Sequence, residues 1–204
     1  MALEVTRHDP DSGRSGPVFY FDLGSPEAYL AAERILQVMP VATEWVPVLA
    51  RDLPAPELYD AFRCADERLI ALERVERRAE SLGLQRLRWP EPFPFDATLA
   101  MHAATYAKQI GRTVAFSLAA FRQAFAGGRP LDVEDNLLIA GSACEMHPAA
   151  IQKALRTRGV ARALQAATAE AVRRGVRDVP AVWTGERVFH GEQALERAAE
   201  AVAA

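Results

Sequence analysis

Apolar runs bounded by turn residues predict strands at both ends of the chain. The run VFYFDL over residues 18–23 is aromatic and β-branched, which is typical of a buried strand. A second short strand is predicted over residues 43–48. Near the end of the chain, residues 178–183 and 187–190 surround a Gly-containing turn, and this pattern predicts an antiparallel hairpin.

Between those ends, apolar residues recur at helical spacing. Ser25 and Pro26 suit the N-cap and the first position of a helix that follows the first strand and stops at Pro40. Residues 57–82 form a long amphipathic pattern whose mixed charges indicate a solvated face. Further helices are predicted over residues 97–110, 113–126, 133–145, 148–156, 160–174 and 192–203.

The order of these elements predicts an α/β fold with a large inserted all-helical domain. The opening strand, helix and strand are consistent with a right-handed parallel unit, and the hairpin adds antiparallel strands. We expect a mixed sheet of about four strands with helices on both faces. A flexible leader over residues 1–16 precedes an α/β domain made of residues 17–55 and 176–204, which encloses a helical insertion over residues 56–175.

The composition is that of an ordinary globular protein. The 204-residue chain is 50% hydrophobic and 25% charged, with a formal net charge of −3. This balance gives no electrostatic reason to expect nucleic acid or an anionic membrane as a partner. No apolar run has the length of a membrane span or the pattern of a signal peptide, so a cytoplasmic location is predicted.

The chain has two cysteines, Cys64 and Cys144, which lie far apart in the sequence. They form neither a C-x-x-C pair nor a zinc-binding spacing, and we expect both to behave as small apolar residues. No cluster of His, Cys, Asp or Glu has metal-ligand spacing, so no metal site is predicted. Whatever the protein does, a local cysteine pair does not do it.

Two features mark places where a ligand could bind. The helix that starts at Ser25 directs its N-terminal N–H groups beyond the end of the first strand, where an anion, a carboxylate or a thiolate would be stabilised. Capping alone also explains Ser25. Val179-Pro180 stands just before a strand; the proline either starts an edge strand in the trans form, which base rates favour, or is a cis proline that exposes the preceding backbone.

In combination these features resemble the DsbA-like branch of the thioredoxin superfamily. Within that branch, the segments FYFDLGSPEAYLA and DVPAVWTGERVFHGEQAL and the Phe93-Pro94 loop are similar to 2-hydroxychromene-2-carboxylate isomerase and kappa-class glutathione transferase. The resemblance covers residues 18–202. It implies a thioredoxin-like fold of the DsbA type, interrupted by the helical insertion.

The resemblance also implies a site and a chemistry. Ser25 would replace the redox nucleophile of the superfamily and donate a hydrogen bond to the thiolate of glutathione or another low-molecular-weight thiol. Val179, before the cis proline implied at Pro180, would pair through its backbone with the thiol cofactor. The thiol would add transiently to an aromatic or chromene-type carboxylate, permit rotation and leave, so the reaction would be an isomerisation. Related proteins often dimerise, so the resemblance allows a homodimer.

The sequence departs from the related group at three positions. The acidic residue that holds the glutamyl ammonium of glutathione in that group is Gln193 here, with Glu192 one place away as a substitute. The second serine of the Ser-Pro-x-Ser motif is Ala28. Glu27 replaces an aromatic or apolar residue, and its charge would disfavour a neighbouring thiolate. These differences leave open whether glutathione is the thiol.

The histidines are candidates of unequal interest. His190 ends the last predicted strand near the expected site and could act as an acid or base near neutral pH. His102 lies in an Ala-rich helix and is expected to be a packed residue, and His147 precedes Pro148 as a cap or turn residue.

Three functions follow from these observations. The first is a thiol-dependent isomerase or glutathione transferase with Ser25 at its centre. The second is a non-catalytic binding member of the DsbA-like family, which the loss of the acidic residue at Gln193 favours. The third is a thiol-disulfide oxidoreductase, which would need a cysteine where Ser25 and Ala28 stand.

Overall fold

Four strands form one sheet in a computed structural model that describes residues 16–56, 59, 61–62 and 64–203. The leader predicted over residues 1–16 lies outside this part of the chain, apart from Gly16. The strands are β1 (Val18–Phe21), β2 (Glu44–Pro47), β3 (Ala181–Trp183) and β4 (Val188–His190). All four lie within the segments where strands are predicted.

The sheet is mixed, with the strand order β2-β1-β3-β4. β1 runs parallel to β2 and antiparallel to β3, and β3 and β4 form the predicted antiparallel hairpin. Phe19 on β1 lies opposite Trp45 on one side and Val182 on the other. The first and last segments of the chain therefore meet at the centre of the sheet.

Helices account for most of the described chain between β2 and β3. In chain order, the helices are α1 (Pro26–Ala32), α2 (Ile35–Val38), α3 (Ala65–Ser81), α4 (Thr98–Gln109), α5 (Thr113–Phe121), α6 (Glu134–Ser142), α7 (Pro148–Leu155), α8 (Arg158–Arg173) and α9 (Ala194–Ala203). A 3₁₀ turn follows β2 at Ala50–Asp52, and a π-helical turn at Arg122–Ala126 continues α5.

The first helix is shorter than predicted. It ends at Ala32, because the Arg34 N–H bonds to the Ala31 carbonyl and tightens the last turn, and the separate helix α2 follows. Glu33 makes a two-point ion pair with Arg122, with both distances 2.7 Å. Leu36, which the helical pattern places on the apolar face, has 67% of its surface exposed. The break leaves Leu36 exposed, while Ile35 and Met39 in the second half of the predicted helix stay buried in the larger core.

Two further predictions about helix boundaries are wrong. The helix predicted from residue 160 begins at Arg158, so Gly159 lies in the first turn of α8. The long helix predicted from residue 57 begins at Ala65, with residues 57, 58, 60 and 63 outside the described part. Cys64 is the N-cap of this helix and its Sγ accepts the Glu67 N–H at 3.4 Å. Cys64 is exposed, so its expected role as a small apolar residue is wrong, whereas Cys144 is buried as expected.

Side chains of β1 alternate between two cores, as the period of a strand requires. Phe19 and Phe21 enter the larger core, while Tyr20 packs in a smaller core that also contains Ala171 of α8. The larger core continues through Met101 into the helical insertion. Sheet and insertion thus bury a common apolar interior, and helices cover both faces of the sheet as predicted.

An aromatic cluster fixes the proline-rich loop before α4. Phe125, on the π-helical turn, lies within ring-contact distance of Tyr29 on α1 and of Phe93 and Phe95 in the loop. Trp89 contacts both Phe93 and Phe125. Aromatic pairs of this kind add about 1 kcal/mol each beyond the area they bury. The cluster holds the loop against the helix that begins at Ser25.

Candidate functional site

Ser25 lies between β1 and α1, where the sequence predicts an N-cap. Its Oγ accepts the Ala28 N–H at 3.1 Å, which confirms the capping role. Pro26 has no N–H, and the Ala28 N–H already bonds to Ser25. The Ser25 hydroxyl proton is a further donor at this point.

The peptide bond between Val179 and Pro180 is cis. The trans form that base rates favour is wrong here, and the cis form implied by the family resemblance is confirmed. Both residues are buried, with Val179 6% exposed. The Val179 N–H donates to its neighbour Asp178 at 2.8 Å.

A cavity of about 390 Å³, here called the serine cavity, brings Ser25 and Val179 together. Aromatic side chains and charged groups share its wall. The lining residues are Asp22, Gly24, Ser25, Ala50, Arg51, Tyr59, Pro94, Phe95, Asp96, Ala97 and Val179. The volume suits a small molecule, because ligand cavities begin at about 300 Å³.

A second, narrower space lies next to Glu27 and Pro180, which belong to the same motifs as Ser25 and Val179. This arginine cleft, of about 30 Å³, is lined by Glu27, Leu30, Ala31, Arg34, Arg74, Val75, Arg78, Leu82, Pro180, Gly191, Glu192 and Leu195. Three arginines and two glutamates make it rich in charge. Arg34 is paired with Glu196 at 2.5 Å, and Arg78 donates to the Glu192 carbonyl at 3.5 Å.

Both motifs extend from one space to the other. Ser25 and Val179 line the serine cavity, whereas Glu27 and Pro180 line the arginine cleft. The two spaces therefore border neighbouring residues of the Ser-Pro and Val-Pro motifs.

Asp22 is a site residue that the sequence reasoning missed. It is 6% exposed and lines the serine cavity at the end of β1. Its Oδ1 accepts the Gly24 N–H and its Oδ2 accepts the Ala50 N–H, both at 2.8 Å. The carboxyl group thus ties the turn before Ser25 to the 3₁₀ turn after β2. An acidic residue within an apolar strand run was the available signal.

Burial raises the pKa of Asp22, although its two backbone hydrogen bonds act in the opposite direction. The folded protein therefore holds this proton more tightly than the unfolded chain does. The stabilising contribution of Asp22 is greatest below the ordinary Asp pKa of about 3.9 and is lost as pH rises through the raised value.

We expect the dependence of stability on the protonation of Asp22 to disappear in the Asp22→Asn variant. The free energy of unfolding of the native protein minus that of the variant should fall as pH rises from about 4. Urea unfolding of both proteins at a series of pH values measures the difference. A difference that stays constant or grows with pH would contradict the assignment.

Glu27 connects Ser25 to Tyr59. The Ser25 hydroxyl donates to Glu27 Oε2 at 3.3 Å, and the Tyr59 hydroxyl donates to Glu27 Oε1. Tyr59 is 5% exposed and contacts the Phe93 ring, so the aromatic cluster holds it in place. The sequence marks Glu27 as unusual for the family, but it does not predict this partner 32 positions away.

The other predicted site residues are dispersed. Glu192 lies in the arginine cleft after Gly191, whose φ of 80° favours glycine. Gln193 is exposed and lines neither space. His190 also lines neither, and its Nε2 accepts the Arg177 N–H at 3.1 Å. Burial and the nearby Arg177 charge lower the pKa of His190, which keeps the ring neutral. Its acid or base role stays a prediction.

His102 and His147 behave as expected. His102 Nδ1 lies 3.1 Å from the Leu155 carbonyl, which makes it a satisfied packed residue. His147 caps α7, with Nδ1 accepting the Ala149 N–H at 3.2 Å. In the described part of the chain, no group of three or more His, Cys, Asp or Glu is arranged to hold a metal ion. None of the helices described there is long and apolar enough to cross a membrane.

The sheet order, the opening β1-α1-β2 unit and the cis proline facing the helix start define a thioredoxin-fold protein. Its helix start carries Ser25 and Ala28 in place of a cysteine pair. The chain belongs to the family of DsbA-like thioredoxin domains, because the model of that family matches residues 18–203. This confirms the fold and the family expected from the sequence motifs.

Solved structures agree on the fold. A 2-hydroxychromene-2-carboxylate isomerase superposes with a TM-score of 0.80 at 18% identity, covering 93% of this chain and 95% of that one. A probable DsbA oxidoreductase from Streptomyces coelicolor gives a TM-score of 0.71 at 19% identity, covering 91% of this chain and 87% of that one. The cytosolic disulfide reductase DsbM from Pseudomonas aeruginosa with GSH gives a TM-score of 0.65 at 12% identity, covering 93% of this chain and 96% of that one. No curated protein sequence matches.

Proposed function

We propose that this protein is a thiol-dependent isomerase or transferase of the 2-hydroxychromene-2-carboxylate isomerase type. Glutathione or another low-molecular-weight thiol would be its cofactor, and an aromatic carboxylate its substrate. Ser25 would donate a hydrogen bond to the thiolate. The observation that carries the proposal is the meeting of Ser25 and Val179 in one aromatic-walled cavity.

The shape and lining of the two spaces support a thiol with polar ends. A tripeptide-sized thiol can place its sulfur at Ser25, pair its backbone with Val179 and reach the charged arginine cleft. Glu27 and Glu192 could accept from an ammonium group, and Arg74 and Arg78 could donate to a carboxylate. The exposed Gln193 has no part in this arrangement. Glu192 is the better candidate for the ammonium.

The serine cavity supports an aromatic substrate. Tyr59 and Phe95 offer ring faces, while Arg51 stands at the edge and is paired with Asp96 at 3.0 Å. A substrate carboxylate would be attracted to Arg51 in competition with Asp96. We place the activity in the cytoplasm, where glutathione forms the main thiol pool.

The direct test offers the purified protein two reactions. One is the isomerisation of 2-hydroxychromene-2-carboxylate with and without glutathione, and the other is conjugation of glutathione to 1-chloro-2,4-dinitrobenzene. We expect a rate above the uncatalysed one in at least one reaction, and only when the thiol is present. No catalysis in either, together with no heat of glutathione binding at millimolar concentration, contradicts the proposal.

A second function, ligand binding without catalysis, has one observation in its favour. The Ser25 hydroxyl, whose proton a thiolate needs, already donates to the Glu27 carboxylate. In that case glutathione would bind with measurable heat, and neither reaction would be accelerated.

Disulfide exchange is expected to be absent. Ser25 and Ala28 leave the helix start without sulfur, Cys64 lies at the start of α3, and burial raises the pKa of Cys144 and makes it a poor nucleophile. Insulin reduction by dithiothreitol should run no faster with this protein than without it, and thioredoxin serves as the positive control. Clear acceleration would show that one of these cysteines does redox work.

A further inference from the structure

Ser25, Glu27 and Tyr59 form a continuous line of hydrogen bonds at the boundary between the two spaces. The Ala28 N–H donates to Ser25 Oγ, the Ser25 hydroxyl donates to Glu27 Oε2, and the Tyr59 hydroxyl donates to Glu27 Oε1. The carboxylate is therefore fixed at both oxygens, with Ser25 between it and the serine cavity. The 3.3 Å distance from Ser25 Oγ to Glu27 Oε2 is long, as catalytic contacts often are before a ligand binds.

We propose that Glu27 accepts the proton of the cofactor thiol through the Ser25 hydroxyl, and that Tyr59 positions Glu27 for this task. The inference rests on the proposed thiol-dependent function and adds the proton acceptor that this function needs. It changes the role of Glu27 from a charge that opposes the thiolate to the group that makes the thiolate available.

The step balances with the groups at hand. As sulfur forms its bond to the electrophilic carbon, the π-electron pair at that carbon moves onto the conjugated carbonyl oxygen; in 1-chloro-2,4-dinitrobenzene it moves into the nitro-substituted ring, which then expels chloride. At the same time the S–H proton passes to Ser25 Oγ and the Ser25 hydroxyl proton passes to Glu27 Oε2. Ser25 is then again a hydroxyl and donates to the sulfur, while Glu27 is a neutral carboxylic acid. When the thiol leaves in an isomerisation, both protons return along the same path, and no oxidant or reductant is required.

Other titratable groups described near Ser25 are less suited to this role. Both carboxylate oxygens of Asp22 accept backbone N–H groups that hold two turns together. The Nε2 lone pair of His190 accepts the Arg177 N–H, and His190 lines neither space. Among these groups, Glu27 is the one with a recorded contact to the Ser25 hydroxyl.

Charged neighbours of Glu27 come from every element around the arginine cleft. They are Arg34 after α1, Arg74 and Arg78 on α3, and Glu192 before α9. Asp22, Arg51 and Asp96 line the serine cavity on the other side of Ser25.

The test compares the native protein with Glu27→Gln in the conjugation of glutathione to 1-chloro-2,4-dinitrobenzene from pH 6 to pH 8. General-base assistance is worth about 100-fold, and we expect the variant to lose at least about tenfold at pH 6.5. In the variant, only ionised thiol reacts, so its rate should rise about tenfold per pH unit, because the thiol pKa is near 8.5. The native rate should depend on pH much less steeply.

Two further variants make the result specific. Tyr59→Phe removes the hydroxyl that fixes Glu27. It should lower the rate severalfold and make its pH dependence steeper, as Glu27→Gln does. Glu73→Gln makes the same charge change on an exposed position of α3 and should leave rate and pH profile as in the native protein. The thermal midpoint of each variant shows whether it is folded.

The outcomes separate the two proposals. A Glu27→Gln variant that is as fast as the native protein, or faster, overturns the role of Glu27 and leaves the thiol-dependent function in place; it would mean that the Glu27 charge only repels the thiolate. If the native protein neither binds glutathione nor accelerates the reaction, the proposed function fails and the Glu27 inference fails with it.

Discussion

Replacing Ser25 by alanine should lower the glutathione-dependent rate by about 100-fold. Loss of one preorganised donor to a developing anion costs a factor of this size. The measurement is the steady-state rate with glutathione and 1-chloro-2,4-dinitrobenzene, or with the chromene substrate if that reaction is the one catalysed.

Ser25→Thr is the matched control for this prediction. It keeps both the hydroxyl proton and the capping oxygen, so its rate should stay within a few-fold of the native rate. Ser25→Ala also loses the cap, at a cost of about 1 kcal/mol in stability. The thermal midpoint distinguishes this cost from the catalytic loss. An alanine variant that is folded and retains the native rate would remove Ser25 from the mechanism.

Replacing Asp22 by alanine should reduce the free energy of unfolding by about 2–4 kcal/mol at neutral pH. The carboxylate accepts two backbone N–H groups, from Gly24 and Ala50, and each would lose its partner. A donor that loses its partner costs about 1–3 kcal/mol where water does not replace it; both residues are half-buried, and removal of the desolvated charge returns part of that sum. Urea unfolding monitored by circular dichroism measures the change.

Asp22→Asn provides the graded comparison. The amide oxygen can accept one of the two N–H groups, but the amide nitrogen then faces the other donor, so this variant should lie between native and alanine in stability. Gly24 and Ala50 also line the serine cavity, so glutathione binding should weaken in the same order. An alanine variant as stable as the native protein would show that water or a small shift satisfies both donors.

The order of strands and helices could be predicted because it follows from local periodicity. The run from Val18 alternates between two cores, and the helical segments carry apolar residues at three and four. The predicted helix to Pro40 breaks at two residues whose side chains pair outside the segment. Glu33 pairs with Arg122, and Arg34 pairs with Glu196. Both partners lie in other helical segments, and the sequence of residues 26–40 does not predict them.

The site residues that stand in a short sequence motif could be predicted. Ser25 and Val179 could be named because each stands in a short pattern at a strand end. Tyr59 could not, because the packing of the helical insertion brings it to the cavity and it stands in no such pattern. Phe95 directly follows the Phe93-Pro94 motif, and Pro94 and Phe95 both line the cavity. His190 stands at the end of the last strand as predicted, but it lines neither space and its Nε2 accepts the Arg177 N–H.

A crystal structure of the native protein with glutathione tests the central claim most directly. We predict that the sulfur lies within about 3.5 Å of Ser25 Oγ, with the cysteinyl backbone of the tripeptide paired to Val179 and one polar end in the arginine cleft. Glutathione bound with its sulfur away from Ser25, or a crystal saturated with the thiol that shows no density between Ser25 and Val179, would contradict the account.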